Sequence, residues 1–289
     1  MANLKEIRTR ISSVSSTMQI TSAMKMVSAA KLKRAQDAIT QMRPYAEKLR
    51  DILVNISSCL DGSSQGVFSE ERSVKRVLLV SITSNRGLCG AFNTNIFKAT
   101  ENRIKELSDK DVEVFPIGKR CVDYFNGKQK LFNSNTTIFD ELTYSSASPI
   151  AQEVMDAFAN GHFDQVEIIY NEFKNAATQE VIRQQFIPIV SEKDNDSKPS
   201  SNNDYIFEPS ISSIIVDLIP QSLKTQFYKS LLDSHASEHG ARMTAMHKAT
   251  ENAEELRAEL KLSYNRQRQA AITNEILEIV GGAEALKQE

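Results

Sequence analysis

Apolar or small residues recur from Leu4 onward at alternating spacings of three and four. They are Leu4, Ile7, Ile11, Val14, Met18 and Thr21, then Leu32, Ala35, Ile39, Met42, Ala46, Leu49, Leu53, Ile56 and Leu60. That is a heptad seam, and it predicts one long helix. Pro44 interrupts the seam and should bend the helix without ending the pattern. At ~1.5 Å rise per residue, a helix over residues 3 to 58 is about 80 Å long, too long to pack inside a domain of this size. The period then changes. "VKRVLLVSI", "VEVFPIG", "VEIIYNEF" and "VIRQQFIPIV" read as strands, with helical segments near Asn93 to Leu107 and Pro149 to Asn160. The alternation over residues 75–190 predicts a small α/β head with a largely parallel sheet. "SEKDNDSKPSSNNDY" has no apolar anchor and reads as a mobile loop or hairpin over 191–209.

From Ser210 to about Leu286 the pattern is helical again, with Pro220 near an early turn and Gly281-Gly282 near the end. Its seam is thin: Ala249, Ala253, Leu256, Leu260, Ser263, Gln267, Ala270, Asn274 and Leu277. Small and polar residues hold half the places where a stable coiled coil puts Leu or Ile. The expected fold class is α/β plus long helices: an antiparallel coiled coil of the N-terminal (1–60) and C-terminal (210–289) helices with a central Rossmann-like α/β domain.

Within the N-terminal helix, "MQITSAMKMVSAAKL" is apolar on more than one face, through Ile20, Met24, Met26 and Val27 with Ala23, Ala29 and Ala30 between them. One partner helix cannot cover every side, so a sleeve of other chains is expected. Charge adds to this. Residues 1–58 hold ten Lys/Arg against four Asp/Glu, although the whole chain of 289 residues carries a formal net charge of only -2. No aromatic is interleaved with those cations before Pro44, which argues against single-stranded nucleic acid and for protein contacts. Cys59, Cys89 and Cys121 are far apart and lack CxxC spacing, so neither a disulfide framework nor a zinc knuckle is indicated. No apolar run approaches the ~20 residues that span a bilayer.

Two motifs invite chemistry. "RGLCGAFN" places glycines after a strand, but it lacks the Lys and Ser/Thr of a phosphate loop and the spacing of a dinucleotide loop. Gly87 and Gly90 read instead as a tight strand-to-helix turn, with Cys89 a buried thiol in it. "HASEH", His235 to His239, fits the HxxEH zinc pattern but brings no third ligand, and its helix reads as solvent-exposed.

"IRTRISSVSSTMQITSAMKMVSAAKLKRAQ", "RPYAE", "ITSNRGLCGAFN", "YIFEP", "ASEHGARMTAM" and "LSYNRQRQAAITNEILEIVGGAEAL" together resemble the gamma subunit of bacterial rotary F-type ATP synthases. The likeness runs over nearly the whole chain. It implies a non-catalytic rotor with no cofactor, whose paired helices stand inside a hexamer of alpha and beta subunits. It also implies an epsilon subunit beside the head, a membrane ring below it, and membrane association only through partners, at the cytoplasmic face of the bacterial inner membrane. The positions that match family contacts with alpha and beta are Arg8, Met24, Lys25, Arg242, Arg268, Gln269 and Thr273. Phe207 and Glu208 match the region that meets the ring. Gly240 departs from the usual Ala and should weaken its helix by ~1 kcal/mol.

Overall fold

The computed structural model describes residues 4–58, 68, 72–176, 178–189 and 211–285. Phe207, Glu208, Cys59 and the loop expected over 191–209 lie outside them. The order is α1 (Leu4–Ser58), β1 (Arg76–Ile82), α2 (Phe92–Glu106), β2 (Asp111–Ile117), α3 (Lys119–Phe125), α4 (Tyr144–Ala159), β3 (Gln165–Phe173), β4 (Gln179–Ile187) and α5 (Ile211–Ala285). Pro44 and Pro220 both sit inside helices, of 55 and 75 residues, Pro220 in an early turn of the second. The chain divides into two compact units, Ala29–Arg242 and the combination of Met1–Ser28 with Met243–Glu289.

In the larger unit, β1 is buried at every position after Arg76, as a central strand covered on both faces must be. The sheet order is β2-β1-β3-β4, parallel except for the antiparallel β3–β4 hairpin. One face carries Leu78, Val80, Ile82, Val166 and Ile168. Against it pack Val154, Met155 and Phe158 of α4 and Leu223, Phe227 and Leu231 of α5. The other face sets Val77 and Leu79 beside Leu107 at the end of α2, and Val114 beside Cys121 and Phe125 of α3. Glu167 of β3 is 3% exposed, and Arg103 of α2 grips both its oxygens, at 2.9 and 2.5 Å. Such a forked pair tolerates burial because both carboxylate oxygens are satisfied.

Two helices differ from expectation. α4 starts at Tyr144, five residues before Pro149, because Thr143 and Ser146 form a reciprocal capping box. The seven-residue α3 follows Gly118, whose φ is +98° and whose Cβ would stand 2.2 Å from the Thr83 carbonyl oxygen.

In the smaller unit, the Thr21 and Thr250 hydroxyls lie 2.8 Å apart and Lys25 Nζ lies 3.3 Å from His247 Nδ1. Four residues forward on α1 match three backward on α5, which makes the pair antiparallel. Carried back to Leu4, the first described residue, that register ends opposite residues 267–268. From Met246 onward the covered positions of α5 are Met246, Ala249, Thr250, Ala253, Arg257, Leu260, Tyr264 and Gln267. Arg257 and Tyr264 thus replace the expected Leu256 and Ser263. Ala270, Asn274 and Leu277 are exposed, so the expected continuation of the seam lies beyond any described intrachain partner.

Candidate functional site

Two places hold the residues singled out from the sequence. The first is a buried polar cluster at the end of the larger unit. After β1 the chain turns sharply into α2. Gly90 takes a φ of +60°, and Leu88 takes +63°, a left-handed conformation that a branched side chain resists. Ser84, Cys89 and Asn93 tie the turn from within. Asn93 Oδ1 accepts from the Ser84 amide at 3.0 Å, and Asn93 Nδ2 donates to the Ser84 hydroxyl at 2.9 Å and to Cys89 Sγ at 3.3 Å. Below the turn, Cys89 and Phe92 pack with Ala241 of α5, and burial pushes the Cys89 thiol's pKa up.

Arg242 closes the turn from above. It donates to the carbonyl oxygens of Arg86 at 3.2 Å and Gly87 at 3.3 Å, and meets Glu238 at 2.6 Å. Both side chains of that ion pair are 9% exposed. Burial pushes the Glu238 carboxyl up from its ordinary pKa, and Arg242 opposes that shift. Arginine keeps its proton in proteins, so Arg242 must donate to His239 Nδ1, 3.4 Å away. The His239 proton therefore sits on Nε2 and is donated to His235 Nε2 at 3.1 Å. Neither Nε2 is left with a free lone pair, so the HxxEH pattern works as a hydrogen-bond chain rather than a metal site. The segment is also not solvent-exposed as expected: His239 is 5% exposed, and His235 stacks on Phe139 with ring centroids 6.1 Å apart. Among the described residues no group of three or more His, Cys, Asp or Glu is placed to hold a metal ion.

The second place is the paired-helix unit. Its seam is polar where a coiled coil is usually apolar: Thr21 and Ser28 are buried, while Ile20, Met26 and Val27 are 59%, 64% and 57% exposed. Met24 and Lys25 are half-buried and Arg8 is exposed. Every position from Arg268 to Ala283 is exposed, Gln269 and Thr273 included, and with them Ile272, Ile276, Leu277, Ile279 and Val280. Apolar side chains standing outward on both helices form a surface suited to other chains.

Comparison with known proteins gives the family. A family model described as ATP synthase matches residues 3–286, and the ATP synthase gamma chain of Flavobacterium psychrophilum is 62% identical over 99% of this chain and 100% of that protein. The chain belongs to the ATP synthase gamma chain family. The gamma chain of Flavobacterium johnsoniae is 61% identical over 99% of each. Among solved structures, a chain from the central stalk and c-ring of the Tetrahymena thermophila mitochondrial ATP synthase is 26% identical. It gives a TM-score of 0.61, with 80% of this chain and 99% of that chain covered. A chain of the Euglena gracilis mitochondrial ATP synthase shares the fold, with a TM-score of 0.68, 19% identity, and 98% and 94% of the two chains covered.

The sequence reading had Glu238 only as the Glu of the HxxEH pattern and missed its pairing with Arg242, and it missed Leu88 altogether. Glu238 stands one helical turn before Arg242 and was legible as an i,i+4 pair. Nothing in the sequence marks the left-handed backbone at Leu88.

Proposed function

We infer that this chain is the central-stalk rotor of an F-type ATP synthase, carrying rotation of the membrane ring to the alpha/beta hexamer and so coupling ion flow to ATP synthesis and hydrolysis. The observation that carries this is the 62% identity to a gamma chain over the full length of both proteins. The chemistry of the surfaces supports it. A shaft that meets several partners in succession gains from small side chains and a few long polar ones, and it biases each partner only through contacts that differ between its faces.

The contacts proposed with alpha and beta subunits are Arg8, Met24, Lys25, Arg242, Arg268, Gln269 and Thr273. Phe207 and Glu208 are proposed to meet the membrane ring, and the epsilon subunit to lie beside the head. No described helix is long and apolar enough to cross a membrane, which fits attachment through partners at the cytoplasmic face of the bacterial inner membrane. The catalytic chemistry belongs to the hexamer.

The test is ATP hydrolysis by matched alpha and beta subunits with and without this chain, together with the mass of the complex. A stable hexamer holding one copy, with raised hydrolysis, is expected. Failure to associate would overturn the rotor reading. In the same assay Arg268→Ala or Gln269→Ala should impair assembly or hydrolysis, and normal complexes would remove those positions from the contact set.

A further inference from the structure

We propose that Arg242, held by Glu238, is a positioning residue that clamps the 86–90 turn onto α5 and so fixes the angle of α5 about its own axis where the helix leaves the head. The proposal rests on the rotor reading and deepens it, because it changes how Arg242 acts. Its guanidinium is turned inward and satisfied by Glu238, the Arg86 and Gly87 carbonyls and His239. A side chain so occupied reaches a neighbouring subunit through the turn that it holds.

The grip on α5 changes character along the helix. From Leu223 to Leu231 it is mainly apolar packing, with a hydrogen bond between Ser230 and Tyr170; apolar packing is strong but does not fix direction. From Ser237 to Arg242 it is hydrogen-bonded. Ser237 Oγ donates to the Asn171 carbonyl at 3.1 Å, Asn171 donates to the Phe92 carbonyl at 3.3 Å, and Arg242 takes the turn. Hydrogen bonds weaken steeply with angle, so this last stretch resists twisting where packing alone would let the helix slip. Arg242 is also the last residue of the larger compact unit. The outward Leu88, 65% exposed, is kept in its left-handed conformation by the two carbonyl contacts on either side of Gly87.

Cys89 is a built-in reporter. It is 2% exposed beneath the turn, while Cys121 is fully buried in a separate cluster. The experiment follows alkylation of each cysteine by mass spectrometry in the isolated full-length chain and in the membrane-bound complex, alongside ion pumping per ATP hydrolysed. Arg242→Met and Glu238→Gln should speed Cys89 labelling by about ten- to a hundredfold, the factor expected when a charge-assisted hydrogen bond is lost from a local opening equilibrium. Cys121 should stay protected and pumping per ATP should fall, with Arg242→Lys recovering part of both. Unchanged Cys89 protection would overturn the clamp, as would lost pumping without Cys89 exposure, which would make Arg242 a direct contact. Where Arg242→Met does not fold, Glu238→Gln decides between these outcomes. Wild-type chain that never enters a complex would defeat the rotor reading, while the labelling of the isolated chain would still decide the clamp.

Discussion

Gly240 sets two local preferences against each other. Helix propensity favours alanine there by ~1 kcal/mol. A Cβ at that position, however, would stand 3.1 Å from the Ala176 carbonyl oxygen in the β3–β4 connection, and a backbone atom cannot swing aside as a side chain can. Gly240→Ala is therefore expected to lower stability, by about 1 kcal/mol; a raised denaturant midpoint would show that the connection yields. The histidines beside it give a pH dependence. Burial, first of all, pushes the pKa of His235 down to about 4 and that of His239 to about 3, while an unfolded histidine titrates near 6.5. Between those values the unfolded chain binds more protons, so their contribution to stability is full above pH 6.5 and is lost as pH falls toward 4. The raised pKa of Glu238 works in the opposite direction. In the double variant His235→Gln/His239→Gln, the loss of stability from pH 7 to pH 4.5 should be smaller than in the wild type; an equal loss would place the acid sensitivity elsewhere. These side chains also show where sequence reading stops. His235 and His239 read as exposed because helix periodicity says which residues share a face and not what covers it. The left-handed Leu88 sits beside the Arg86 and Gly87 carbonyls that Arg242 holds, a contact 155 residues away along the chain that no local pattern announces.

Among the elements, the paired helices were legible and their seam only in part. Both the expected and the observed α5 seams are heptads through Ala253, Leu260 and Gln267. They differ in the alternate position, where the expected seam runs through Leu256 and Ser263 and the structure covers Arg257 and Tyr264. Arg257 and Tyr264 are amphipathic, able to lay an apolar stem or ring on the neighbouring helix while the polar end stays wet. Leu256 is 46% exposed. Tyr264→Ala should therefore destabilise the isolated chain by about 1–2 kcal/mol and Leu256→Ala by less than about 0.5; urea unfolding that reversed the order would restore the apolar seam. The four strands were legible because short stretches holding two or three Val or Ile with Leu or an aromatic between turn signals admit few alternatives. α3 was not, since seven residues give no measurable period, and the start of α4 was hidden because Pro149 is a stronger local signal than a Thr–Ser capping box.

At the scale of the whole molecule, stability and function separate along α5. The stretch beyond Gln267 makes no described contact with the rest of the chain, so a chain ending at Gln267 should unfold within about 0.5 kcal/mol of the full-length protein yet bind the alpha/beta hexamer poorly. A large loss of stability in the isolated chain would mean that the tail is folded back onto it. The tail also shows a limit of sequence reading. Ile272, Ile276, Ile279 and Val280 fall on one side of a helix, which announces a contact, but the shape that receives them is written in other chains. The tail has one more property. Eighteen residues of unsupported helix, about 27 Å, are near the limit of what stands in water, because starting a helix is the unfavourable step and extending it is nearly neutral. Here the start has already been made upstream, and the tail only propagates a helix that exists. Its weak point is the Gly281-Gly282 pair, which has no neighbour within 4 Å of either added Cβ and so no packing reason to be glycine. Amide exchange should therefore speed up in sequence from Gln267 toward that pair, as a helix unravelling from its end. Whatever surface receives the tail would then meet a probe that is stiff near its root and pliable at its tip.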